Sequence, residues 1–544
     1  MGAFPTAMSL TASFMSAILL LGTPAEMYTY GTMYWDIIGG YFLAMASAAY
    51  LYTPVFFNLQ VTSAYQYLEL RFSRAVRTLA SLLVTVQLCI YMAIVVYAPA
   101  LALGQVTGID VYLAVTGMFL ICIFYTALGG MKAVMWTDTL QVLIMGTAMI
   151  VLVIKGVTDA GGHQVVWEAA VNGSRVEFFN FSMDPRERHT VWGLVIGGYF
   201  TWIALYGTNQ AQIQRYVSVP TLKQAQKAIW INFLNLSALM SICCYAGLIV
   251  YSKYKDCDPL VSKKIQRADQ IIPLFVMETV GKIPGLTGLF IAGVFSGALS
   301  TVSSGINALS ATALEDFVKM FYPNMKEDAA TVVSKLLAVL FGLISFGLVF
   351  IAAQMGGVLQ AANSIFGMIG GPLLGIFTLG MFFPWSTNKG ALTGGIISIS
   401  CMFWLGIGTN LAMLRGALVT PRLPISIDLC GGNVTLFQSR TGERGGLVEF
   451  YRISYIWYSM IGCIIVVVVG LITSFLTGKQ QSRQLNAKMI SPAVDAAMRK
   501  IFSVKFLRRI DWELDTLLSN ESSDKLQLKV TYTSGGLPKC EVFN

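Results

Sequence analysis

Long apolar runs separated by short polar ones dominate this chain, and most of the runs are as long as a membrane is thick. A helix needs roughly 20 mainly apolar residues to cross about 30 Å of hydrocarbon. By that measure the pattern predicts about twelve spanning helices, at 5-28, 34-57, 79-104, 110-129, 135-156, 191-214, 228-251, 286-313, 332-353, 359-383, 390-410 and 454-477. Transmembrane strands would instead show short alternating segments, so a β-barrel is excluded. Composition agrees: 55% of the 544 residues are hydrophobic and 12% charged, and the mean hydropathy is +0.66. The fold class is an all-α polytopic membrane protein.

Three of the apolar runs carry more polarity than a span needs. "FSGALSTVSSGINALSAT", Phe295 to Thr312, holds seven hydroxyl side chains. On a helix Ser296, Ser300 and Ser304 share one face, with Thr301 beside Ser300 and Gly297 one turn earlier. Such a stripe has two explanations: small residues that let helices pack closely, or oxygens that coordinate an ion. "TASFMSA" in the first run repeats the theme, with Thr11, Ser13 and Ser16. In the sixth run Gly197 and Gly198 stand together in mid-span. Weakened helices at the first and sixth positions of a five-plus-five series point to an inverted-repeat transporter with discontinuous helices. Irregular backbone at the midplane is tolerable where it lines a site, and the unwinding is expected near Ser13 to Ser16 and near Gly197 to Gly198.

Basic residues beside the helix ends, Arg71, Arg74, Arg77, Lys132 and Arg215 among them, mark one side as cytoplasmic. The outer loops 157-190, 252-285 and 411-453 carry basic residues too. Asn172, Asn180 and Asn433 open sequons on that outer side and are the candidate glycosylation sites. Of nine cysteines, Cys257 and Cys430 fall in long outer loops. In an oxidising compartment two loop thiols can pair; one sequence does not show their distance, so bridge and free thiols both stay open. The net charge of +9 owes much to the tail, where "MRKIFSVKFLRRIDW" suits either a helix lying on anionic lipid or a solvated segment. Nothing points to nucleic acid. The chain opens almost directly on an apolar segment, without the basic leader and small-residue cleavage site of a signal peptide.

"SLTASFMSAILLLGTPAEMY", "VTSAYQYLELRF", "VVYAPALAL", "FYTALGGMKAVMWTD", "YGTNQAQIQRY", "FSGALSTVSSGINAL" and "SIFGMIGGPLLG" resemble, in colinear order from about residue 3 to 478, the sodium/solute symporter family. The branch is the animal one of sodium-coupled monocarboxylate, multivitamin and iodide transporters. The resemblance implies a LeuT-like five-plus-five core over 1-384, with repeats over about 1-156 and 191-383. Two additional C-terminal helices follow at 385-477, with the outer loop 411-453 between them, and then a cytoplasmic tail, 478-544. Relatives of this kind usually carry one more helix ahead of the first core helix. It also implies sodium ligands from the hydroxyls of Ser300 and Thr301 and the carbonyls of Ala12, Met15 and Gly297. A candidate second sodium position follows from Ser13, Ser16, Asp138, Gln141 and Gln210. Asp138 has a plainer role open to it as well, that of a helix-start carboxylate favoured by the dipole. Candidates for the substrate cavity are Phe14, Leu19, Tyr91, Trp202, Tyr206 and Phe366, which the same fold turns inward.

The function so implied is sodium-coupled import of a small organic anion across the plasma membrane by alternating access. A monocarboxylate such as lactate, pyruvate or a short-chain fatty acid leads, and biotin or pantothenate is the alternative. Iodide fits less well, because the iodide carriers have a glutamine where this chain has Leu19. A channel and a non-transporting sodium sensor are the rivals from other classes. Sodium is a co-substrate and no organic cofactor is expected. The partners are the anion and membrane lipid, with the oligomeric state open. An enzyme is not expected: the two histidines, His163 and His189, fall in outer loops, and no P-loop, zinc spacing or nucleophile elbow is present.

Overall fold

The computed structural model describes residues 2–353, 357–430, 445–478 and 487–501. Among these no strand occurs, and nine helices are long and apolar enough to cross a membrane, or ten when a bent pair counts as one span. That pair is α1 (Ala3–Phe14) and α2 (Ala17–Tyr30), bent by 59° at the break between them. There follow α3 (Thr32–Leu59) and α4 (Arg74–Thr107), then α5 (Val111–Asp159), a continuous helical run of 49 residues. The expected spans 110-129 and 135-156 both lie in α5, as a shorter apolar part, Val111–Thr126, and a full-length one, Val134–Asp159.

The sixth expected span, 191-214, is divided. A π-helical turn, Gly193–Gly197, leads without interruption into α6 (Gly198–Thr208), and Asn209 separates that from α7 (Gln210–Tyr216). The unwinding expected at Gly197 and Gly198 is therefore displaced by more than ten residues, to Asn209. The glycines serve close packing instead. A Cβ on Gly197 would stand 2.8 Å from the Ile456 carbonyl oxygen, and one on Gly198 would stand 3.3 Å from Ile37.

The remaining spans are α8 (Leu222–Tyr254), α9 (Leu286–Ala313), α10 (Glu327–Ala352), α11 (Val358–Phe382), α12 (Asn388–Leu414) and α13 (Tyr458–Leu476). Polar caps start several of them, as at Asp110, whose carboxylate accepts from the Tyr112 and Leu113 amides at 2.9 and 3.1 Å. The hydroxyl-rich α9 packs along α5, and α1 lies against α5, α8 and α9. Phe124, Ile154, Leu336 and Ile351 are exposed on the outward faces of α5 and α10, as helices facing lipid require.

The loops sort onto two faces. On one, Thr32 N donates to the Arg175 carbonyl (2.8 Å), Leu423 N to Thr29 O (3.2 Å) and Asp258 N to Ser426 O (3.0 Å). Gly31, at φ +85, makes the α2–α3 turn there, where a Cβ would meet the Arg175 carbonyl oxygen at 2.7 Å. Cys257 and Cys430 are joined in a disulfide on this face, their Cα atoms 5.0 Å apart. Asn172 is exposed there, whereas the Asn180 amide donates to Glu187 at 3.2 Å; Asn433 lies outside the described residues. On the other face Arg71 is buried and donates to carbonyls of Gly380, Phe383 and Pro384, closing the end of α11. The start of the tail docks beside it: Tyr67 donates to Met489 O and Ser491 N to Met381 O.

Candidate functional site

At the end of α1 the chain leaves the helix for two residues. Met15 has ψ 75 and Ser16 is extended, with φ −92 and ψ 175. Ser16 then caps α2 by accepting from Ile18 N at 3.2 Å. A broken helix leaves carbonyls of its last turn without intrahelical partners. The Ala12 carbonyl instead receives Thr301 Oγ1 from α9 at 3.4 Å, and the same hydroxyl reaches Gly297 O at 2.9 Å. Gly297 permits this approach. A Cβ there would lie 3.1 Å from Ala17 N and 3.2 Å from the Ser16 carbonyl carbon. Ala12, Gly297 and Thr301 therefore meet at the break as three hard oxygen donors, and Met15 is buried beside them.

Ser300 points elsewhere. Its hydroxyl donates to Asp138 Oδ1 at 2.5 Å, and Ser9 donates to Oδ2, also at 2.5 Å. Arg215, from α7, joins the same cluster through Ser9 (2.7 Å), Ser304 (2.7 Å) and Asp138 Oδ2 (3.4 Å). Ser13 Oγ lies 3.3 Å from Ser304 Oγ and donates to the Ser9 carbonyl at 2.7 Å. Asp138 thus does not cap its own helix, since it sits well inside α5. It centres a buried network linking α1, α5, α7 and α9.

Only part of the candidate second sodium position gathers there. Ser13 and Asp138 share the network, but Ser16 is engaged as the α2 cap. Gln210 accepts from Ala64 N (2.6 Å) and donates to Thr62 O (3.0 Å), tying α7 to the loop after α3. Gln141 makes no hydrogen bond to the network, and its Oε1 is buried without a partner. Arg215 was absent from that expectation: beside a helix end it counted as a topological charge. Among the described residues no group of three or more His, Cys, Asp or Glu is placed to hold a metal ion.

Five of the six substrate-cavity candidates form one aromatic group. The ring centroids of Phe14 lie 6.3, 6.1 and 6.0 Å from Tyr91, Tyr206 and Phe366, Tyr91 lies 4.6 Å from Phe366, and Trp202 stacks on Tyr206 at 6.0 Å. Leu19 is buried on α2. None of the six lines the large cavity of about 660 Å³ that opens on the outer face. At that cavity Arg188 donates to both oxygens of Glu26 (2.5 and 3.0 Å) and to Gln360 Oε1 (3.0 Å). Burial works against the Arg188 charge, yet Glu26 and the Tyr455 and Tyr30 hydroxyls outweigh it and hold the group above its ordinary pKa. Burial, and then the Arg188 charge, push His189 well below its ordinary value, so it stays neutral.

The sodium:solute symporter family pattern matches residues 1–398. This chain belongs to that family. The symporter is 44% identical over 491 residues to the sodium-coupled monocarboxylate transporter 2 of Homo sapiens, an alignment covering 90% of this chain and 79% of that protein. It is 41% identical over 502 residues to the sodium-dependent multivitamin transporter of Oryctolagus cuniculus, covering 91% and 79%. Among solved structures it is similar to a Na+-coupled sialic acid symporter in a substrate-bound outward-open state, described as revealing a novel Na+-site. The TM-score is 0.71 at 25% identity, over 89% of this chain and 92% of that one. The symporter is therefore an all-helical, LeuT-like, sodium-coupled membrane transporter and not an enzyme, with sodium as its co-substrate.

Proposed function

We propose that this symporter imports a small monocarboxylate, such as lactate, pyruvate or a short-chain fatty acid, with sodium across the plasma membrane by alternating access. The observation that carries the proposal is the meeting of the Thr301 hydroxyl with the Ala12 and Gly297 carbonyls at the α1–α2 break. Sodium is a hard cation that prefers such oxygens. Without a carboxylate in the set, binding stays weak enough to reverse on each cycle. Met15 and, by turning its hydroxyl away from Asp138, Ser300 complete the proposed ligand set, and the aromatic group around Phe14 is the proposed seat of the solute. Helix breaks in the first and sixth spans support repeats over about 1-156 and 191-383. The relatives' names support a monocarboxylate first and a vitamin such as biotin or pantothenate second.

A second sodium is proposed at Asp138, with Ser13 in the same network. There it competes with Arg215, which already faces the carboxylate. Two sodium ions with one anion move one net positive charge inward, an event worth about 2.3 kcal/mol per 100 mV. The test is uptake of labelled lactate, pyruvate, butyrate, biotin and pantothenate in voltage-clamped cells, with external sodium or with choline. The proposal predicts sodium-dependent lactate uptake with inward current. Uptake of the vitamins alone would transfer the case to them, and lactate uptake without current would remove the second sodium.

A further inference from the structure

The outer cavity meets the protein interior at the Arg188–Glu26 pair. Arg188 and Glu26 are 13% and 7% exposed. Glu26 stands on α2 seven residues beyond Leu19, and Gln360, the third member, stands on α11 six residues before Phe366. The pair therefore lies between the cavity and the aromatic group, and bridges the outer halves of two helices that flank that group. A solute moving from the cavity toward the aromatic group passes it.

Two features distinguish Arg188 from a staple. Its guanidinium lies over the ring of Tyr30, 4.1 Å from the centroid, and 5.1 Å from that of Tyr455. Those rings add to the hold on the cation that Glu26 provides. Its two bonds to Glu26 are bidentate, the geometry by which arginine recognises any carboxylate. Glu26 in turn has a second neighbour, since His189 Nε2 lies 3.3 Å from its Oε1.

We infer that Arg188 is a docking cation for the carboxylate of the incoming solute, which takes the place of Glu26 on the guanidinium at the floor of the outer cavity. The inference rests on the organic-anion reading above and makes Arg188 and Glu26 determinants of specificity. A neutral solute that parts the pair leaves both the guanidinium and the carboxylate buried without a counter-charge. A carboxylate keeps Arg188 paired throughout, so that Glu26, beside neutral His189, is the one charge left without a partner. The pair therefore admits anions and rejects their neutral isosteres.

The test compares sodium-dependent uptake of lactate and of lactamide, its neutral isostere, with surface protein measured in parallel. The set is wild type, Glu26→Gln, Arg188→Gln and the double variant. Glu26→Gln frees Arg188 and is expected to lower the half-saturating lactate concentration several-fold while slowing maximal uptake. Arg188→Gln raises that concentration by about tenfold or more. The double variant leaves no buried unpaired charge, so its surface level returns toward wild type while its preference for lactate over lactamide is lost. Half-saturation that stays constant across the set, with only maximal rate and surface level changing, overturns the docking role. Absence of lactate uptake in wild type overturns the monocarboxylate reading itself, and this inference with it.

Discussion

Arg188 and Arg215 each bury a guanidinium against a carboxylate, but the two pairs are built differently. At the outer one, Arg188 grips both oxygens of Glu26 and is flanked by aromatic faces. At the inner one, Arg215 reaches a single oxygen of Asp138 at 3.4 Å, and two serine hydroxyls approach that carboxylate more closely, at 2.5 Å. A bidentate guanidinium–carboxylate pair is matched in geometry by another carboxylate. A loose pair diluted among hydroxyls can exchange its cation, because the serines continue to satisfy Asp138 while the positive charge changes hands. The outer pair suits selection of an anion, and the inner pair suits sodium.

The sharpest way to break the comparison is to remove the inner carboxylate. Asp138→Asn leaves Arg215, 4% exposed, without its counter-charge, and losing one partner of a buried pair destabilises by about 3–5 kcal/mol. Surface protein and thermal stability in detergent should both fall steeply. Adding Arg215→Gln should restore the surface protein without restoring sodium-coupled uptake. Recovery of coupled uptake in the double variant would reduce the network to packing.

A milder change acts at the neighbouring break. Gly297→Ala places a methyl group 3.1 Å from Ala17 N and from the Met145 sulfur, so the break must yield by a few tenths of an ångström. The half-activating sodium concentration should rise severalfold while surface protein stays near normal; a sodium curve that does not move would detach Gly297 from ion binding.

Much of this was legible in the residues, and the failures have physical causes. The oxygen stripe of α9 and the break at Ser16 could be read because hydroxyls are conspicuous among apolar neighbours. The sixth-span break was misplaced because paired glycines signal either unwinding or close approach, and here Ile456 fills the space. At Asn209 the backbone instead turns to ψ 131, and its side chain caps α7 by accepting from Ala211 N at 2.9 Å. An asparagine in "GTNQ" carries no such signal by itself. Arg215 and Asp138 are 77 residues apart, and Arg188 and Glu26 are 162 apart; no local pattern brings such partners together. Gln210, a candidate ion ligand, also ties α7 to the loop at Thr62 and Ala64, a link that no local pattern announces.

The Asn209 cap gives a smaller test of the two breaks. Asn209→Ala should cost about 1 kcal/mol, seen as a modest loss of thermal stability with sodium activation unchanged, in contrast to Gly297→Ala. A matching shift in sodium activation would make the two breaks one functional unit.

The smallest expected effect lies at the outer loop. Asp269 is buried where it accepts from Val358 N, at the start of α11, at 3.2 Å. Burial raises its pKa to about 6, against the Val358 hydrogen bond and the Arg267 charge. A carboxylic acid whose pKa is raised by packing holds its proton more tightly when packed. Docking of this loop should therefore weaken as pH rises from about 4 to about 6, and level off above that. Protection of residues 268–280 against hydrogen exchange should fall accordingly, and Asp269→Asn should flatten the dependence. Protection that rises with pH would reverse the sign and refute the assignment.

The central claim is that the hydroxyl stripe of α9 holds the driving ion at the broken first helix. Its most direct test is the sodium dependence of lactate uptake in the Ser300→Ala, Thr301→Ala double variant, normalised to surface protein. The account predicts normal delivery to the surface and uptake that no longer responds to external sodium. A double variant whose uptake rises with sodium as steeply as wild type would show that the stripe is only packing.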